Sequence, residues 1–234
     1  MLRLLDLFAG IGGMSLGLQR SGHFRPVAFC EINPFCHHVL RKHWPEVPIY
    51  GDVRALTRER LHADGIAVDA ICGGFPCQDI SAAGRGAGLH GARSVLWREF
   101  ARLLGDLRPR YAIVENTDAL TFRGLGTVLG DLADLGFDAV WHSIPASALG
   151  ARHLRRRVWI VAHTDRSGLE EQFYRHAPEL ATAVGTHAWG FEPELDRVAP
   201  WLPYRVDRVQ ALGNSAVPQI PELIGRLIGN LEAT

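Results

Sequence analysis

Seven short apolar runs recur along the chain, and most are separated by segments whose apolar residues follow a helical period. RLLDLFA, PVAFCEI, VPIYGDV, AVDAICGG, YAIVEN, FDAVWHSIPA and RVWIVAH read as strands. MSLGLQRSG, PFCHHVLRKHW, SVLWREFARLLGDL and LGTVLGDLADLG read as helices. Strands joined through helices run parallel, so the pattern predicts an α/β fold: a doubly wound, mostly parallel sheet covered by helices on both faces. VDRVQALGNSAVP and QIPELIGRLIGNL are expected to close the chain with a turn and a helix. Residues 164–203 break the rhythm and read as a small irregular insertion, leaving 1–163 and 204–234 as one domain.

In a sheet of this kind ligands gather at the carboxyl ends of the strands. Five consecutive strand ends here carry glycines or polar groups: the FAGIGG turn, Glu31, Asp52, the turn containing Pro76, Cys77 and Gln78, and Glu115 with Asn116. That coincidence makes the strand ends the expected functional edge.

The bulk properties narrow the class. The 234 residues include 25 basic and 25 acidic side chains, a balance that argues against a broad polyanion-binding surface but permits a local basic groove. Every basic residue except Lys42 is arginine, which suits bidentate contacts to phosphate or base edges; a compositional bias of the genome gives the same pattern. No apolar run approaches the roughly 20 residues needed to cross a bilayer, and the start lacks the pattern of a secretory leader. A cytoplasmic protein without a membrane partner is expected. Cys30, Cys36, Cys72 and Cys77 form no CxxC pair, so neither disulfides nor a metal site is expected; His37 and His38 follow Cys36, but no second cluster answers them.

Each motif has an ordinary reading beside a functional one. Gly10, Gly12, Gly13 and Gly17 lie between a strand and a helix, where backbone can approach a ligand and free N–H groups face an anion; no GK[ST] follows, which excludes a P-loop. Glu31 suits ribose hydroxyls and Asp52 an adenine amino group, while for either acid taken alone a cap or a solvated turn is the readier reading. Cys77 is expected to be exposed, at a strand end before a flexible loop, and on position alone both packing and nucleophilic readings stand. Glu115 ends a buried strand, which is costly unless the group is paired or working. His153, Arg155 and Arg157 share one side of an extended segment by period-two alternation, with Arg156 pointing the other way.

With these pieces in order, the sequence resembles the DNA cytosine-5 methyltransferases, through DLFAGIGG, Glu31, Asp52, GGFPCQDIS, ENT, the row His153, Arg155, Arg157, and ALGNSAVP. The resemblance implies the seven-stranded, Rossmann-like sheet of S-adenosylmethionine-dependent methyltransferases. It implies S-adenosylmethionine over Phe8, Gly10 and Gly12, leaving as S-adenosylhomocysteine. Glu31 would take the ribose hydroxyls and Asp52 the adenine amino group, and Ile32, Val53, Pro76, Leu96 and Asn214 would complete the pocket. It also implies that Cys77 adds to C6 of a cytosine flipped out of double-stranded DNA. Glu115 would act at N3, Arg157 would hold the base oxygen and Arg155 would support Glu115. Gln78, Ser81, Arg85, Arg93 and His153 would contact DNA.

Three positions depart from the family pattern. ENT replaces the frequent ENV, His153 stands where glutamine is common, and the recognition region at 164–203 is unusually short. Between 164 and 200 that region holds seven carboxylates against three arginines, so phosphate attraction must come from flanking arginines. A short or relaxed target sequence is expected. The rival readings are an RNA cytosine-5 methyltransferase, a non-catalytic nucleic-acid-binding protein on the same scaffold, and an enzyme whose partner supplies recognition surface; otherwise a monomer is expected. The residues do not decide between a phage setting and a restriction–modification pair.

Overall fold

In the computed structural model, residues 1–76, 95–164 and 204–233 are described, together with the isolated Glu170 and Arg175. The strands are β1 (Leu2–Leu7), β2 (Phe24–Cys30), β3 (Ile49–Tyr50), β4 (Ala70–Gly74), β5 (Tyr111–Thr117), β6 (Asp138–Pro145) and β7 (Arg156–His163). They form a seven-stranded sheet in the order β3-β2-β1-β4-β5-β7-β6. The first five pair in parallel, and β7 runs antiparallel to both β5 and β6. The expected mostly parallel α/β sheet is therefore present.

Period-two alternation divides the sheet into two faces. One face carries Leu5 and Leu7 of β1, Ile71 of β4, Ala112 and Val114 of β5, and Val158 and Ile160 of β7. It packs against α3 (Arg58–Ala63), α4 (Val95–Leu107), α5 (Leu120–Arg123) and α6 (Leu125–Asp134), whose Trp97, Phe100, Leu103 and Val128 are buried. The other face carries Leu4, Cys72, Ile113, Trp159 and Val161. It packs against α1 (Gly13–Arg20) and the last helix, through Met14, Leu18, Ile224 and Ile228. α2 (Pro34–His43) adds Leu40 beside Phe29 and Trp44 at the β2 edge. Pro34 at its first turn and the Asn33 side chain, which accepts from the Phe35 N–H at 2.9 Å, start that helix.

Two local expectations are corrected. VDRVQALGN is not part of a turn: Arg205–Asn214 forms a helix, α7, which ends before the Ser215–Pro218 turn that leads into α8 (Gln219–Glu232). Its weak apolar stripe hid it, because only Ala211 is buried among its described side chains. The VPIYGDV run supplies only two residues of strand, since Asp52 caps a short 3-10 turn at Val53–Ala55. The boundaries of the expected insertion, 164–203, fall almost wholly outside the described residues.

Candidate active site

The sheet order brings the predicted strand ends onto one edge. Parallel registers align Cys30 with Tyr50, Leu7 with Cys30 and with Gly73, and Gly74 with Glu115. Antiparallel β7 then presents its beginning at the same edge, with Arg157 opposite Thr117. Chain segments far apart in sequence thus meet in one line because β1 and β4 are central neighbours.

At the β1–α1 turn, Phe8, Gly10 and Gly12 all take left-handed backbone conformations, with φ of 55°, 55° and 83°. Nothing described lies within 4 Å of where a Cβ on Gly10 would sit, so the turn opens outward there. Glu31 fastens it: Oε2 accepts the Gly10 N–H at 2.7 Å and Oε1 the Asn33 N–H at 2.8 Å. A carboxylate offers about four acceptor positions, so both oxygens keep capacity for hydroxyl donors. Beside it Ile32 is 69% exposed, an apolar side chain left facing solvent.

Asp52 is engaged differently. Its carboxylate caps the 3-10 turn by accepting the Arg54 N–H at 2.9 Å, and it pairs with the Arg54 guanidinium at 2.7 Å. Those hydrogen bonds hold its pKa below the ordinary carboxylate value. An adenine amino group would meet an acid already occupied by its neighbour. Val53 is buried, Pro76 is exposed, Leu96 is half-buried in the first turn of α4, and Asn214 is exposed at the end of α7.

Glu115 is buried beside two guanidinium charges. Only 8% of it is exposed, and its Oε1 lies 3.0 Å from Arg157 Nε. Despite that distance, Oε1 accepts no aligned hydrogen bond among the described residues. Burial pushes its carboxyl pKa upward, while the charges of Arg157 and Arg155 and the contact with Arg157 pull it back. The result is a carboxyl with a raised proton affinity at the mouth of the sheet, able to donate to or accept from a heterocycle. Asn116 points to the opposite face, where its amide donates to the Phe75 carbonyl at 3.0 Å and anchors the chain just before Cys77.

The arginine row alternates as expected: His153, Arg155 and Arg157 are half-buried, and Arg152, Leu154 and Arg156 exposed, although β7 itself begins only at Arg156. Arg155 acts on Glu115 through charge alone, because its own hydrogen bonds go to the carbonyls of Gly213 and Ser215. Cys77, Gln78, Ser81, Arg85 and Arg93 lie outside the described residues. The three described thiols are poor nucleophiles. Burial pushes Cys30 up to about 12, Cys36 to about 11, and Cys72 well above its usual value.

Two features of the site escaped the sequence. Gly74 makes room for the Glu115 carboxylate, and the doubled glycine before Phe75 was the available signal. The buried Asp6 accepts a hydrogen bond from Ser15 at 2.7 Å and another from the Cys72 thiol, tying β1, β4 and α1 together beneath the glycine turn. An acid within the apolar run RLLDLFA, nine residues before a serine on the next helix, was its only trace. No grouping of three or more metal-ligating side chains occurs among the described residues.

The chain as a whole has known relatives. The C-5 cytosine-specific DNA methylase family matches residues 2–187, more than three quarters of the chain. The chain belongs to that family. It is 33% identical over 169 residues to the type II methyltransferase M2.BsuMI of Bacillus subtilis, covering 69% of this chain and 42% of that protein. It is likewise 33% identical over 190 residues to M.DsaV of Dactylococcopsis salina, covering 79% of this chain and 52% of that one. The chain thus spans about half or less of the length of these relatives. Among solved structures, an E. coli prophage-encoded protein assigned as a DNA modification methyltransferase superposes with a TM-score of 0.60. That match has 26% identity and covers 70% of this chain and 47% of that one. Among the described residues, no helix is long and apolar enough to cross a membrane.

Proposed function

We propose that this methylase-family chain transfers a methyl group from S-adenosylmethionine to C5 of a cytosine flipped out of double-stranded DNA, through a covalent bond between Cys77 and C6. The observation that carries the reading is Glu115, a buried carboxyl of raised proton affinity at the end of the strand beside the one leading to Cys77. Cytosine C5 is a poor nucleophile, and addition at C6 activates it only if negative charge at N3 is relieved. Glu115 would give its proton to N3 as the Cys77 sulfur bonds to C6, leaving C5 electron-rich. Arg157, 3.0 Å from Glu115, would hold the base oxygen while keeping the carboxylate in place after proton transfer. With the methyl group on C5, loss of the C5 proton to solvent expels the thiolate, and Glu115 recovers its proton from N3.

The β1–α1 turn fits an adenosine-bearing cofactor. The opening over Gly10, the Glu31 carboxylate and the exposed Ile32 would take its backbone approach, ribose hydroxyls and base in turn. Phe8, Gly12, Val53, Pro76, Leu96 and Asn214 would surround it. When bound, S-adenosylmethionine supplies the electrophilic methyl group. Gln78, Ser81, Arg85, Arg93 and His153 would face the DNA, and residues 164–203 would form a short recognition insertion giving a short or relaxed target.

Trapping on a duplex containing 5-fluorocytosine tests the chemistry, because fluorine at C5 prevents release of the thiolate. A covalent complex that forms with the cofactor and disappears in Cys77→Ser supports the proposal. No adduct with the wild type, together with no labelling of DNA by radioactive methyl donor, overturns it. Labelling of tRNA in place of DNA would assign the substrate to RNA.

A further inference from the structure

Arg155 joins the two halves of the site. One of its terminal nitrogens donates to the Gly213 carbonyl at 2.7 Å and the other to the Ser215 carbonyl at 2.6 Å. These carbonyls flank Asn214, the last residue of α7, whose own side chain is exposed. A guanidinium here satisfies carbonyls left open where a helix ends, and its charge complements the negative end of the helix. From the other side the same turn presses on α1. A Cβ on Gly13 would collide with the Ser215 hydroxyl and lie 2.6 Å from the Ala216 carbonyl. The turn is therefore held between Arg155 and the start of α1, next to the glycine turn.

We infer that Arg155 is a positioning residue for the cofactor side of the site: by gripping the backbone on both sides of Asn214 it sets that side chain over the β1–α1 turn. The inference rests on the proposed cofactor reading and assigns Arg155 a task separate from the charge it lends to Glu115. The two tasks have different kinetic signatures. A grip on Asn214 governs affinity for the adenosyl ligand, whereas support of Glu115 governs the chemical step on cytosine.

The experiment compares the full chain with Arg155→Gln, Arg155→Lys and Asn214→Ala. S-adenosylhomocysteine affinity is measured by calorimetry without DNA, alongside cofactor KM and kcat on DNA. Arg155→Gln is expected to weaken S-adenosylhomocysteine about tenfold or more, the cost of a lost charge-assisted hydrogen bond. Cofactor KM should rise in step, on top of whatever fall in kcat at saturating cofactor follows from losing the charge that Arg155 lends to Glu115. Arg155→Lys should recover part of the loss, since an ammonium can still reach one carbonyl. Asn214→Ala should weaken the ligand similarly, and the double variant should be no worse than the weaker single one. Unchanged affinity in Arg155→Gln with a fall in kcat would overturn the inference and leave Arg155 as support for Glu115 alone.

Amide exchange separates this result from failure of the cofactor reading. In Arg155→Gln the Ser215 and Ala216 amides should exchange faster while those of Ile160 and Val161 stay protected. A wild type that binds no S-adenosylhomocysteine, yet shows this exchange pattern, would refute the cofactor reading and keep the backbone grip. Unaltered exchange at the turn would refute the grip itself.

Discussion

The Glu115 carboxylate lies over Gly74: a Cβ added at Gly74 would stand 2.7 Å from Glu115 Oε2. The two residues are register partners on β4 and β5, so the acid at one strand end owes its placement to the missing side chain on the next. Gly74→Ala should force the carboxylate out of its present position. Because displacements near 1 Å in a reacting group can cost about a hundredfold in rate, trapping on 5-fluorocytosine DNA should slow by about that factor. Trapping at the wild-type rate would mean that the position of Glu115 is immaterial to the reaction.

Asn116→Ala should act on the neighbouring turn. It removes the buried amide that holds the Phe75 carbonyl, leaving that acceptor without its partner at a cost of about 1–3 kcal/mol. Chemical denaturation should register that loss. Adduct formation by Cys77, two residues further on, should slow as well, while S-adenosylhomocysteine affinity should change little.

Asp6 gives a pH signature. It is fully enclosed, and burial raises its pKa to about 6; the neighbouring Glu31 charge adds to the rise, and the Ser15 and Cys72 hydrogen bonds oppose it. The folded acid therefore binds its proton more tightly than the unfolded one. Its contribution to stability is full below pH ~4 and is lost as pH rises to about 6, a change on the order of 3 kcal/mol. Asp6→Asn carries no such titration. The stability of wild type relative to Asp6→Asn should therefore improve as pH is lowered from 7 to 5. A constant difference across that range in denaturation curves would show that Asp6 titrates as an ordinary acid.

Gly13→Ala probes the contact between the glycine turn and the chain's last turn. Its methyl would meet the Ala216 carbonyl, which is backbone and yields less readily than a flexible side-chain tip. Overpacking of this kind costs about 1–3 kcal/mol, so thermal unfolding should move to lower temperature. S-adenosylhomocysteine binding should weaken in parallel. A variant as stable as the wild type would place the Ser215–Ala216 turn further from α1 than described.

Much of the organisation follows from the linear chain. Apolar runs of strand length separated by helical periods dictate parallel pairing through crossovers, and parallel pairing sends every polar strand end to one edge. That is why Glu31, Asp52 and Glu115 stand out in the linear chain. Alternation likewise set Arg155 and Arg157 apart from Arg156. What the chain could not reveal is which partner each group meets, because those partners arrive from distant segments once the strand order is fixed. Arg155 reaches past β7 to grip the end of α7, and Gly74 yields its space to Glu115. A periodic pattern encodes which face a residue occupies; distances of 2.6 to 3.0 Å between a side chain and its partner depend on how the layers pack, and only the folded molecule sets those.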